Sequence, residues 1–163
     1  MLQIVFGPVS SRRFGISLGV DLSPAQKCCN FDCVYCELTA AKSVTAIKNP
    51  PSVEQVIAEV KVALAAHPHI DVITLTANGE PTLYPDLAGL VSELNLIKGR
   101  AKTLILSNGS GVLDPQICEA LKGLDIVKFS LDSAVQKTFA RIDRSGEKID
   151  VGELVGAMVK FRR

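Results

Sequence analysis

The sequence predicts an α/β fold on a parallel sheet, and three observations carry that prediction. Short apolar runs rich in β-branched residues alternate with segments whose apolar residues recur at spacings of three and four. Each strand-to-strand connection is long enough for a right-handed crossover. The polar and otherwise unusual residues fall just after the strands, where open α/β sheets and barrels place their ligand sites. A doubly wound sheet and an incomplete TIM-type barrel both satisfy this pattern.

Residues 16–22 (ISLGVDL) form the first strand, followed by a cysteine-rich stretch over 27–38 and a polar connection to Pro51. Over residues 52–66, Val53, Val56, Ile57, Val60 and Leu64 share one stripe of a helix. Ser52 and Gln55 form its capping box, and His67-Pro68 ends it, because proline pushes the residue before it out of helical geometry. The β-branched run at 72–77 reads as a strand buried on both faces. Leu87, Leu90, Val91 and Leu94 mark a second helix, and residues 103–106 a third strand. Asp114-Pro115 opens a third helix, with Asp as N-cap and Pro at the first position, and Gly123 closes it. Residues 126–131 form a fourth strand. Val135, Phe139 and Ile142 mark a fourth helix, and Asp150 with Glu153 caps a fifth that carries Val151, Leu154, Val155 and Met158.

The chain has 163 residues, 47% hydrophobic and 21% charged, with no low-complexity tract or fixed-period repeat, so it reads as one soluble domain over residues 1–163. A formal charge of +1 argues against a protein whose main task is neutralising phosphates. No apolar run approaches the roughly 20 residues needed to span a bilayer, and no export signal is visible, which predicts a cytoplasmic protein with no membrane partner. In that setting its five cysteines are expected to be thiols or metal ligands rather than disulfides.

Cys29, Cys33 and Cys36 have the spacing C-x3-C-x2-C. A closed zinc site wants four ligands in a tetrahedron, and only three are well spaced here; His67 and His69 are the candidates for a fourth. Three thiolates on a short loop suit an iron–sulfur cubane with one iron left open. Three further groups of polar residues follow strands on the same side: Asn78-Gly79-Glu80-Pro81, Ser107-Asn108-Gly109 and Ser130-Leu131-Asp132. Four loops are thus expected to converge on one site.

The string CNFDCVYC over residues 29–36 resembles the signature of the radical S-adenosylmethionine (radical SAM) superfamily, C-x3-C-x-aromatic-C, with Tyr35 as the aromatic. The segment Asn78-Gly79-Glu80-Pro81 is similar to that superfamily's second motif, with Asn78 in place of its first glycine. The longer strings GPVSSRRFGISLGVDL and NGEPTLYPDL resemble the branch related to wyosine-type tRNA base modification.

This resemblance implies a partial TIM-type barrel, of whose six units the chain carries about four, so that it is expected to be incomplete at its C-terminus and to expose a strand edge after the fourth strand. It implies a [4Fe-4S] cluster on Cys29, Cys33 and Cys36 and S-adenosyl-L-methionine as the second cofactor. Gly79, Glu80 and Pro81 would contact the methionine ammonium. Ser107, Asn108, Ser130 and Asp132 would bond its carboxylate or the ribose, and Tyr35 would lie near the adenine. An electron donor of flavodoxin or ferredoxin type and a tRNA substrate are the partners it implies. The other reading is a metal- or cluster-binding module without catalysis. Cys28 and Cys118 are expected to be small buried residues, and Lys27 and Arg12-Arg13 to tune the cluster or contact an anionic substrate.

Overall fold

The computed structural model describes residues 3–146 and 148–161; Met1, Leu2, Glu147, Arg162 and Arg163 lie outside that description. A hairpin comes first, with β1 (Val5–Ser11) antiparallel to β2 (Gly15–Asp21). Then come α1 (Val53–Ala66), β3 (Val72–Thr76), α2 (Leu87–Ile97), β4 (Lys102–Ser107), α3 (Pro115–Lys122), β5 (Ile126–Phe129), α4 (Gln136–Ile142) and α5 (Val151–Phe161). The five strands form one sheet in the order β1-β2-β3-β4-β5, with β2 to β5 all parallel. A doubly wound sheet reverses its order at a switch point. Here the order never reverses, which is the arrangement of a partial barrel.

β1 is the element that the sequence reading did not foresee. Its Gly7, Pro8, Ser10 and Ser11 erase the apolar alternation, and a bulge between Phe6 and Val9 interrupts its ladder. Such residues are tolerated because it is an edge strand with mostly exposed side chains. The last strand stops at Phe129, so Ser130 and Asp132 belong to the loop beyond it. At that side of the sheet β5 pairs with β4 alone among the described residues.

The helices start where their caps dictate. Ser52 and Gln55 make the reciprocal bonds of a capping box, Asp86 accepts from the Gly89 amide, and Asp114 accepts from the amides of Gln116 and Ile117. The Glu153 amide donates to Asp150 ahead of α5. Gly123 ends α3 in ordinary right-handed backbone, so there it is no left-handed cap. Val56 and Val60 of α1 and Leu90 and Leu94 of α2 are buried against Leu18, Val20, Ile73, Leu75 and Ile105 in one core. Among the described residues no helix is long and apolar enough to cross a membrane.

Asp125 ties the amino ends of β4 and β5 together. Its carboxylate accepts from the Thr103 amide (2.7 Å) and hydroxyl (3.0 Å) and pairs with Lys98. The Lys98 bond and then the Thr103 amide hold its pKa below the usual carboxylate range. A depressed folded value adds stability above the unfolded value and loses it as the pH falls through the folded one. Asp125→Ala should therefore melt below wild type at pH 7, and the gap should close as the pH drops below about 4, read by thermal unfolding monitored by circular dichroism.

Candidate functional site

The carboxyl ends of the parallel strands meet the cysteine loop through backbone. The Cys28 amide donates to the Asn78 carbonyl at 2.7 Å, and the Glu80 amide donates to the Cys28 carbonyl at 2.9 Å. Cys28 and Gly79 are thus paired like two residues of a parallel ladder. Gly79 has φ +137°, and a Cβ there would stand 1.9 Å from the Cys28 carbonyl oxygen, so both its backbone conformation and the space around it demand glycine. Asn78 secures the same junction from the other side: its side-chain amide donates to Asp21 at 2.8 Å and to the Ser23 carbonyl at 3.2 Å.

Beyond this junction the loop is stitched down along its length. Phe31 is buried and meets Phe139 of α4 edge-on, ring centroids 5.8 Å apart. The Val44 amide donates to the Cys29 carbonyl, the Gly146 amide to Asn30, and the Val34 amide to Ile142. The Asn30 side chain donates to the Ser110 hydroxyl and accepts from the Asn108 side-chain amide, both at 2.8 Å, and so ties the loop to the end of β4.

Glu80 is the polar centre of the site. It is fully buried, and one of its oxygens accepts from the Thr82 amide and hydroxyl and the Ser107 hydroxyl, the other from the Asn108 amide at 2.7 Å. Burial pushes its pKa upward against those four donors. Its carboxylate thus caps the short 3-10 turn Pro81–Leu83 and joins the ends of β3 and β4. In the segment from Asn78 to Pro81, the carbonyls of Asn78, Glu80 and Pro81 each accept a backbone bond, whereas the Gly79 carbonyl accepts none among the described residues.

Cys29, Cys33 and Cys36 are half-buried, and all five cysteines are unbridged. Burial pushes the Cys29 thiol up, and burial with the charges of Asp143, Cys29 and Cys36 pushes Cys33 up to about 11. The three thiols therefore lie within electrostatic reach of one another, and Cys29 and Cys33 carry protons that a metal must displace. Among the described residues no three His, Cys, Asp or Glu side chains converge on a point that a single ion could occupy. His67 and His69 sit before the amino end of β3, across the sheet from the cysteines.

Tyr35 and Asp132 do come together: the Tyr35 hydroxyl donates to Asp132 at 2.6 Å and to Asp143 at 3.4 Å. Burial and then the Asp132 bond raise the phenol. Tyr35 is 53% exposed, so it is no core side chain. Asp143, a residue the sequence reading missed, is buried with one carboxylate oxygen lacking a partner among the described residues, and burial and then the charge of Asp132 raise its pKa to about 6. Ser130 stands apart from the Glu80 network; its hydroxyl accepts from Lys128 at 3.3 Å.

The remaining candidates divide. Cys28 is buried in the core, as expected of a small apolar residue. Cys118 is only half-buried, because α3 turns Ala120 and Leu121 inward and leaves Cys118 at the flank. Arg12 and Arg13 form the hairpin turn at the amino end of β2, opposite the cysteines, and so cannot act on them. Lys27 does lie at the site, bonded to Asp32 at 2.9 Å. Burial opposes the Lys27 charge, but the Asp32 bond and the charges of Cys36, Asp32 and Cys29 outweigh it.

The model of the family "Radical SAM superfamily" matches residues 23–161 of this sequence. The chain belongs to the radical SAM superfamily. This radical SAM chain is 49% identical over 161 residues to a UPF0026 protein of Helicobacter pylori strain J99, an alignment covering 98% of this chain and 52% of that protein. It is 31% identical over 118 residues to molybdenum cofactor biosynthesis protein 1 of Homo sapiens, covering 71% of this chain and 18% of that protein. Among solved structures it resembles an archaeal TYW1, with a TM-score of 0.45 and 16% identity over 89% of this chain and 49% of that one. The radical SAM chain spans about half the length of the UPF0026 relative it matches.

Two substitutions test how the site is held. Glu80→Ala leaves the Ser107, Thr82 and Asn108 donors unpaired in the interior and should cost at least about 3 kcal/mol of unfolding free energy in urea. Gly79→Ala should cost about 1–3 kcal/mol by the same measurement, because the backbone must leave the left-handed region and retreat from Cys28.

Proposed function

We propose that the chain binds a [4Fe-4S] cluster through Cys29, Cys33 and Cys36 and presents its fourth iron to S-adenosyl-L-methionine. The donor set carries this reading: three unbridged thiols on one pinned loop at the carboxyl ends of the strands, which among the described residues form no cluster that a single ion could occupy. A tetrahedral zinc site needs ligands that converge on one ion, whereas each thiolate of a cubane holds a different iron. When bound, the cluster supplies the electron that splits S-adenosyl-L-methionine into methionine and a 5'-deoxyadenosyl radical, which abstracts hydrogen from a substrate.

The protein's part is ligation, orientation and exclusion of water. The Gly79 carbonyl, which accepts no bond among the described residues, is the acceptor for the methionine ammonium, and the Glu80 carboxylate holds that segment in place. Ser107, being occupied by Glu80 and the Gly109 amide, positions rather than binds. Asn108, Ser130 and Asp132 serve the carboxylate and ribose of the cofactor, and Tyr35 its adenine. A flavodoxin- or ferredoxin-type protein supplies electrons in the cytoplasm. The substrate is a tRNA base, a reading that rests on the strings GPVSSRRFGISLGVDL and NGEPTLYPDL.

Anaerobic reconstitution should give about four irons with matching sulfide per chain and a reduced-cluster paramagnetic resonance signal that changes when S-adenosyl-L-methionine is added. Cys33→Ala should abolish both. A cluster whose signal ignores the cofactor would favour the carrier module. Binding of tRNA should weaken steeply as salt rises, and no binding at low salt would remove that substrate.

A further inference from the structure

We propose that the ion pair of Lys27 and Asp32 sets the reduction potential of the cluster, with Lys27 easing reduction and Asp32 opposing it. This inference rests on the cluster assigned above to Cys29, Cys33 and Cys36. Lys27 precedes Cys28-Cys29, and Asp32 lies between Cys29 and Cys33, so the 2.9 Å bond closes a small ring around the first ligand.

Burying an ammonium is costly unless it is paired, and the Lys27 side chain is only 9% exposed. On the surface the same pair would have little influence on its surroundings. Here most of the screening water is gone from the cation, and Asp32 is fixed further by the Ala41 amide at 3.4 Å. The charge of Lys27 is felt at Cys29, and those of Cys29 and Cys36 are felt at Lys27.

The rest of the surroundings is acidic. Glu80 acts on Cys29 and Asp143 on Cys33, and among the charges that act most strongly on those two thiols Lys27 is the one cation. A cluster held by three thiolates becomes more negative when it takes an electron, so nearby charge shifts its potential directly. The arginines of the β1–β2 turn are at the far end of the sheet and cannot take over this role. Arg144 acts on Asp32, and is exposed.

The test is a potentiometric titration, followed by paramagnetic resonance, of the reconstituted chain and of Lys27→Met, Asp32→Asn, the double variant and Lys27→Arg, with iron per chain measured alongside. Lys27→Met should lower the potential by at least tenfold in the one-electron equilibrium, about 59 mV, and Asp32→Asn should raise it by a similar amount. The double variant and Lys27→Arg should fall near wild type. Potentials that stay put, or that move in the same direction for both single variants, would overturn the inference while leaving the cluster reading intact; loss of iron at an unchanged potential would count as a shape role only and overturn it too. Should Lys27→Met hold no cluster, Asp32→Asn decides alone, an upward shift supporting the pair's role and an unmoved potential overturning it. A wild type that takes up no cluster would overturn the functional reading and this inference with it.

Discussion

Where Cys28 and Gly79 exchange backbone bonds, the cysteine loop becomes an extension of the parallel sheet. The loop has no regular structure of its own, and a segment of that kind ordinarily sits on the surface with its amides in water. Here its amides and carbonyls are paired with residues 78–80, with Val44 and with the segment after α4. Gly79 makes the approach sterically open, Asn78 and Asp21 fix the direction in which β3 leaves the sheet, and Glu80 locks the next turn against β4. Each of these residues acts on the others, so the thiols inherit their positions from the strands.

The electrostatics follow from the same placement. Buried carboxylates serve two ends: Glu80 spends its acceptors on four protein donors, whereas Asp143 turns one oxygen to Cys33 and Tyr35 and leaves the other without a partner among the described residues. The Cys29 and Cys33 thiols are raised in such surroundings and protonated until a metal takes them. Phe31 contributes the apolar counterpart, since its ring against Phe139 holds the middle of the C-x3-C segment in the core.

Periodicity and capping residues made four strands, five helices and the caps of α1, α3 and α5 legible, because buried stripes and N-cap side chains leave local marks in the sequence. They missed β1, whose glycine, proline and serines suit an edge and carry no alternation. At the site, the cysteine spacing and the Gly79-Glu80-Pro81 turn were legible because each is local. Asp143 was not, lying 110 residues from Cys33 and contacting it only through the packing of α4 on the loop. Nor could the sequence say that Glu80 is already occupied by Thr82, Ser107 and Asn108, or that Arg12 and Arg13 point to the wrong end of the sheet. Both facts depend on which strand end a residue reaches in three dimensions.

The sheet holds the cysteine loop ready before any metal arrives. Amide hydrogen exchange of the metal-free chain, followed residue by residue by NMR, tests it directly. The amides of Cys28, Val34, Val44, Glu80 and Gly146 should exchange with protection close to that of β3. Protection confined to the strands, with those five amides exchanging like a free chain, would contradict the account and mean that the metal, not the fold, orders the loop.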